Sequence, residues 1–392
     1  MSEVQTRNIL MVNLPFSGHT NPTLELARTL VAMGHRVCYI HAPDWKRKIE
    51  QTGAEFIPYD GYPTTLSPTK KEMKSWSAAY QTVRRIGKGF DCLVYEMLFF
   101  PGKALADELE IPSFRLFSTF TLNAKVLQEF GQTGGWYMTA IFRFPLLCKG
   151  ISKQLQQKFG LRYGDLVREL TDNAPPLNFT YTIRAFQIYA GEFDAAHYKY
   201  VGPSIGQRVE QAFDFSPMHH PIVYISLGTL LNTSVPFFRK CIEAFQDAPL
   251  SVILSLGNEI QPEQLGALPD NVFAYPVVPQ LKVLQKAALF ITHGGMNSVN
   301  EAIYYGVPML AIPVGNDQPR VAQQIEALHL GKYIRQEGLT PAILRQAAGE
   351  ILREPAYQTT LARFKEMAQA AGGNREIADT ILESLNHAVA KA

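Results

Sequence analysis

Short, unbroken apolar runs separated by stretches of helical spacing set the pattern of this chain. Ile9–Leu14 reads as a buried strand, and Val37–Ala42, Phe56–Tyr59, Cys92–Tyr95 and Ile111–Phe117 read as four more. Between the first two, Thr23–Met33 places Leu24, Ala27 and Leu30 on one helical face before Gly34 stops it. Strands alternating with helices predict a parallel sheet covered on both sides, an α/β fold. From Phe120 to Leu170 the strand signals vanish and Phe130, Trp136, Tyr137, Phe142, Phe144 and Phe159 gather. Helices with broad apolar faces account for them as core, and a pocket for a lipophilic ligand has the same composition. Strand character returns over Phe186–Ala190, and Tyr200–Pro203 closes the first half. Ser204–Pro221 has no apolar periodicity and contains Gly206, Pro217 and His219–His220, which reads as a linker.

A second series follows. Ile222–Leu227, Val252–Leu256, Val272–Tyr275 and Ala287–Ile291 read as strands, with a helix over Pro279–Ala287 and three more over Thr340–Glu354, Tyr357–Ala371 and Arg375–Ala390. The expected organisation is a first domain over 1–203, a linker over 204–220 and a second domain over 221–374. Each is Rossmann-like, with glycine turns at the carboxyl ends of parallel strands, so that two sheets face each other across a cleft.

The densest chemistry lies between Ala287 and Gln318. A strand ends at His293, Gly294-Gly295 supply a permissive turn, and Asn297-Ser298 open a helix whose unpaired N–H groups form an anion site. His293 can donate to a phosphate oxygen without a metal. Glu301, about two helical turns on, can accept two vicinal hydroxyls of a ribose. Asp317 and Gln318 close the next strand unit on the same edge of the sheet and suit the hydroxyls of a sugar. The turn Ser226-Leu-Gly-Thr229 sets another hydroxyl at a strand tip. In the first half, Pro15-Phe-Ser-Gly18 breaks the opening strand and leaves His19 in the loop at its carboxyl end. Imidazole, with an ordinary pKa of about 6.5, can accept a proton at neutral pH.

Composition narrows the partners. With 392 residues two domains are the default, and 46% hydrophobic residues suffice to fill both. A net charge of +2 with 18% charged residues gives no field for nucleic acid. Lys70, Lys71, Lys74, Arg84, Arg85 and Lys88 read as solvated helix faces rather than a membrane patch. Cys38, Cys92, Cys148 and Cys241 show no metal-ligand spacing, and adjacent His219-His220 point apart, so buried free thiols and a reducing, cytoplasmic setting are expected, with no metal. The absence of Gly-x-Gly-x-x-Gly speaks against a nicotinamide or flavin cofactor. The run Ile9–Leu14 is too short for export and Ala302–Asn316 too short to span a bilayer, so no membrane span is expected.

His293-Gly-Gly-Met-Asn-Ser-Val-Asn-Glu301, followed by Gly306-Val-Pro and Asp317-Gln318, resembles the donor-binding signature of the UDP-dependent glycosyltransferases. With Gly18-His19-Thr-Asn-Pro22, the chain is most similar to their bacterial macrolide-type branch, which glycosylates small lipophilic acceptors. The resemblance implies the GT-B architecture, a UDP-sugar co-substrate, and a donor site built from Thr229, Val278, Gln280, His293, Gly295, Asn297, Ser298, Glu301, Asp317 and Gln318. It implies His19 as catalytic base and a last helix, about 375–392, that packs back on the first domain. The acceptor side would draw on Ser118, Phe130, Trp136 and Phe142. Two positions depart from the family. Its Asp at the end of the fourth strand corresponds to Glu96, and an aromatic residue that stacks on uracil corresponds to Val277. The expected reaction is inverting transfer of a sugar, glucose by the resemblance, to a flavonoid, phenol, macrolide or similar hydroxyl. A UDP-sugar epimerase and a catalytically impaired nucleotide-binding homologue remain as alternatives.

Overall fold

The structure, a computed structural model, describes residues 5–63, 68–133, 145–206, 212–228 and 234–389. It divides into two compact units, one formed by Met1–Gly131, Tyr137–Gly206 and Ala371–Ala392, the other by Gln132–Trp136 and Gln207–Ala370.

The first unit is a seven-stranded sheet of β1 (Asn8–Val12), β2 (Arg36–His41), β3 (Glu55–Pro58), β4 (Cys92–Glu96), β5 (Ser113–Phe117), β6 (Leu177–Thr180) and β7 (Tyr198–Tyr200). The order is β3-β2-β1-β4-β5-β6-β7 and every pairing is parallel. β1 and β4 run side by side, with Val12 opposite Tyr95, and the chain winds outward from them in both directions. That is the topological switch point, where the loops leaving two neighbouring strands part and open a crevice at their carboxyl ends. β4 and β5 are buried throughout, Glu96 and Arg115 included.

The last helix, Gly373–Val389, belongs to this unit and packs on the helix Ser17–Ala32. Ile377, Ala378, Ile381 and Leu385 fall on one face and join the sheet's core. Its ends are tied down: Gly373 N donates to Val201 O (2.8 Å), Asn374 Nδ2 to Ser204 Oγ (2.9 Å), and Arg7 Nη2 to Asn386 Oδ1 (2.8 Å).

The second unit has six strands, β8 (Ile222–Ser226), β9 (Ser251–Ser255), β10 (Val272–Tyr275), β11 (Ala287–Thr292), β12 (Met309–Ala311) and β13 (Gly331–Tyr333), in the order β10-β9-β8-β11-β12-β13. All pairings are again parallel, and the switch point falls between β8 and β11.

Three local expectations change. The first helix starts at Ser17, not Thr23, so His19 sits in its first turn. His19 N and Thr20 N both bond to Phe16 O, and Pro22, which costs one intrahelical hydrogen bond, does not stop the helix. Phe186–Ala190 is turn rather than strand: Phe186 N bonds to Ile183 O, Gln187 N to Arg184 O, and Tyr189 is left-handed at φ 53°. Its apolar residues are buried by packing, Phe186 stacking on Phe120, not by sheet pairing. The strand in that region is β6, whose inward Asn178 hides it from an apolar reading; Asn178 Oδ1 accepts from the buried Arg115 Nε at 2.9 Å. Of the stretch expected as linker, Ser204 is bonded into the first unit through Pro22 O and Asn374, whereas Phe213 packs on Tyr275 in the second.

Among the described residues no helix is long and apolar enough to cross a membrane. Cys38, Cys92 and Cys241 are buried free thiols, and burial raises the pKa of each, so none is a nucleophile at neutral pH. The Cys148 side chain lies outside the description.

Candidate active site

At the switch point of the first unit, the helix after β1 and the end of β4 bring His19 and Glu96 together. His19 Nδ1 lies 2.7 Å from Glu96 Oε1. The carboxylate is fully buried, the imidazole one-quarter exposed. Glu96 is held on all sides: Ser118 Oγ donates to Oε1 at 3.0 Å, and Leu98 N donates to Oε2 at 2.9 Å. A carboxylate accepts only, so the proton on this bond belongs to Nδ1, and Nε2 carries the lone pair. This is the orientation and tautomer that a general base requires. The extra methylene of Glu96 is absorbed by the fold of residues 96–98, where the main chain turns back to bond the carboxylate.

The helix end is fixed equally firmly. The His19 carbonyl accepts from Asn13 Nδ2 at 2.9 Å and lies 3.3 Å from Ser118 Oγ. Below it, His41 Nδ1 accepts from Ala42 N, which places its proton on Nε2, 3.0 Å from Thr20 Oγ1; Thr20 in turn donates to Leu14 O. Burial lowers the His41 pKa to about 3. His41 is a neutral structural link, distinct from the partly exposed His19.

Ser118, expected on the acceptor side, thus stands behind the His19–Glu96 pair. Phe130 is buried, packed against Phe120 at 6.4 Å between ring centroids. Trp136 and Phe142 lie outside the described residues, as does Thr229 of the donor set. The half-buried Phe16 ring lies edge-on to His19 at 6.3 Å and 5.8 Å from Trp76, whose Nε1 donates to Leu98 O. Neither ring was singled out from the sequence, because each reads equally well as core.

The second unit gathers most of the remaining donor residues around its own switch point. Gly294, left-handed at φ +81°, and Gly295 lead into the helix Met296–Tyr305, whose cap position Gly295 offers no side chain to its first N–H groups. Asn297 and Ser298 are its second and third residues. The His293 ring is wedged between two glycines. A Cβ on Gly228 would lie 2.6 Å from Cε1, and one on Gly295 would run into Nε2. Burial lowers the His293 pKa to about 4, against the opposing effect of a hydrogen bond to the Ser226 backbone, so the ring is neutral at pH 7.

Farther along the same helix, Glu301 Oε2 accepts from Gln280 Nε2 at 2.5 Å, and Ser298 Oγ accepts from the same nitrogen at 3.3 Å. Gln318 opens the helix Gln318–Ala327, and its Oε1 accepts from Val314 N (2.9 Å) and Gly315 N (3.2 Å), which shapes the loop after β12. Asp317 is the cap residue beside it. Val278 is buried, whereas Val277 is 68% exposed. Among the described residues no three His, Cys, Asp or Glu side chains converge to hold a metal.

Comparison with known proteins identifies the family of the chain. Residues 240–384 match the family described as "Erythromycin biosynthesis protein CIII-like, C-terminal domain". The chain is 32% identical to the NDP-glycosyltransferase YjiC of Bacillus licheniformis, across 96% of this chain and 97% of that protein. It is 29% identical to the uncharacterized UDP-glucosyltransferase YojK of Bacillus subtilis, with 96% and 97% covered. The solved structure of the glycotransferase of kitacinnamycin superposes with a TM-score of 0.82 at 29% identity, covering 96% of this chain and 98% of that one. The chain belongs to the UDP-dependent glycosyltransferase superfamily, in its bacterial macrolide-type branch, and its two parallel-sheet units are those of the GT-B fold.

Proposed function

We propose that the protein transfers glucose from UDP-glucose to a hydroxyl of a small lipophilic acceptor, with inversion at the anomeric carbon and without a metal. The observation that carries the reading is the 2.7 Å bond between His19 Nδ1 and the buried Glu96, which leaves Nε2 as the basic atom. His19 takes the proton of the acceptor hydroxyl as its oxygen bonds to the anomeric carbon. The bond from that carbon to the diphosphate breaks on the opposite side, and Glu96 stabilises the imidazolium that forms.

The charge developing on the departing diphosphate is met by the first N–H groups of Met296–Tyr305, with neutral His293 beside them; interactions of this kind are each worth about 0.3 to 2 kcal/mol. Glu301 takes the ribose hydroxyls, with Gln280 beside it donating to its carboxylate. Gln318 spends its carbonyl oxygen on its own loop, so it offers the sugar only its NH₂, with Asp317 beside it. The likeness to the UDP-glucosyltransferase YojK supports UDP and a glucosyl group. Exposed Val277 gives the base no aromatic ring to stack on, which relaxes the choice between UDP and dTDP. The fit of Glu96 to His19 supports an active enzyme over an impaired homologue.

Mass spectrometry and NMR of the products formed from UDP-glucose and a mixed panel of phenols, flavonoids and macrolides test this. A β-linked glucoside with equimolar UDP is expected. An α-linked product, or a sugar epimer formed without any acceptor, would overturn it.

A further inference from the structure

We propose that Tyr224, in the middle of β8, is a positioning residue that fixes the Glu301 carboxylate through Gln280, and so sets how tightly the ribose of the donor is held. The inference rests on the assignment of Glu301 to the ribose. Tyr224 is 1% exposed, and its ring stacks on Phe290 of the neighbouring strand at 4.8 Å and 7°, opposite it in the ladder register. The sheet therefore holds the phenol rigidly. Its hydroxyl lies 2.9 Å from Gln280 Oε1, and Gln280 Nε2 lies 2.5 Å from Glu301 Oε2.

The direction of this chain of bonds is dictated. The carboxylate accepts only, so Gln280 must turn its NH₂ to Glu301 and its carbonyl oxygen to Tyr224, and the phenol must be the donor. Each bond polarises the next. A long side chain on a helix is thus fixed by an atom of the sheet, and Gln280, in the short helix Gln280–Leu284, is the link between them. Without the phenol, Gln280 loses the anchor on its oxygen, its hold on the Glu301 rotamer loosens, and more of the ordering falls to the ligand. Ordering one such side chain corresponds to about a 3- to 10-fold loss of affinity. Apolar neighbours give Tyr224 the look of core in the sequence, but a core alone would be served by Phe.

The test compares UDP with 2′,3′-dideoxy-UDP by titration calorimetry on the wild-type protein, Tyr224→Phe, Gln280→Ala and the double variant. Wild type should prefer UDP. Tyr224→Phe should weaken UDP by about 3- to 10-fold while leaving the dideoxy ligand unchanged, and should add nothing in the Gln280→Ala background. Equal binding of the two ligands by wild type would overturn the ribose assignment itself. Wild-type preference that Tyr224→Phe leaves intact, an equal loss for both ligands, or additivity with Gln280→Ala would overturn the relay alone. If Tyr224→Phe does not fold, Gln280→Ala by itself must show a loss selective for UDP, and a loss shared by both ligands would overturn the relay.

Discussion

Exchange of Glu96 for glutamine separates shape from charge at the base. Glu96 Oε2 accepts from the main-chain Leu98 N–H at 2.9 Å, which cannot turn away, while Oε1 faces His19 Nδ1, Ser118 Oγ and, at a longer 3.4 Å, the Ser118 N–H. A glutamine of the same length has one oxygen to offer, and the fixed N–H of Leu98 claims it. The amide NH₂ then faces Nδ1. That contact is bonded only if Nδ1 carries the lone pair, so the ring proton moves to Nε2 and the base is lost although no atom has moved far. General base catalysis contributes about 10² to 10⁴-fold, and the corresponding exchange in a Ser–His–Asp triad costs about 10⁴-fold through the same wrong tautomer. We expect Glu96→Gln to lower kcat by about 10³-fold, with UDP affinity within about twofold of wild type, since the nucleotide is assigned to the second unit. Glu96→Asp keeps the charge but retracts it by about one carbon–carbon bond from a 2.7 Å contact, and should fall between the two. Initial rates of UDP release with a phenolic acceptor, beside calorimetric UDP titration and a melting curve, check both. A folded Glu96→Gln enzyme that keeps more than a tenth of wild-type kcat would refute the reasoning.

Two further outcomes follow from the packing. Gly228→Ala forces a side chain onto a backbone at φ +76° and sets its Cβ 2.6 Å from His293 Cε1, so the imidazole must leave its slot; UDP affinity by calorimetry should drop at least about tenfold, the order of one charge-assisted hydrogen bond, and unchanged affinity would contradict the role given to His293. His41 binds a proton far more weakly in the folded chain, at a pKa of about 3, than at its ordinary 6.5. Its contribution to stability is complete above pH 6.5 and is lost as pH falls toward 3, amounting to about 2 kcal/mol between pH 8 and pH 5. Urea unfolding of His41→Gln at those two pH values should show a loss smaller than that of wild type by this amount, and an identical loss would place the acid sensitivity elsewhere.

Much of this was legible in the sequence because the physics was local. Buried parallel strands are mostly apolar, so β1, β2, β4, β5, β8, β9 and β11 announce themselves. The glycine turn Gly294-Gly295 after His293 and the place of Glu301 farther along the following helix likewise follow from residue type and spacing. What failed did so where a tertiary contact overrides local preference. β6 carries an inward Asn178 satisfied by Arg115, and Phe186–Ala190 is apolar for packing rather than pairing. Ser118 and Tyr224 escaped because a hydroxyl inside an apolar run gives no sign of which distant carboxylate it supports. The helix start at Ser17 escaped because Pro22 reads as a stop.

The most direct test of the central claim is the turnover of His19→Ala with UDP-glucose and a phenolic acceptor, measured beside its affinity for UDP. The account predicts a rate lower by about 10² to 10⁴-fold with UDP binding intact. Full turnover in that variant would contradict it.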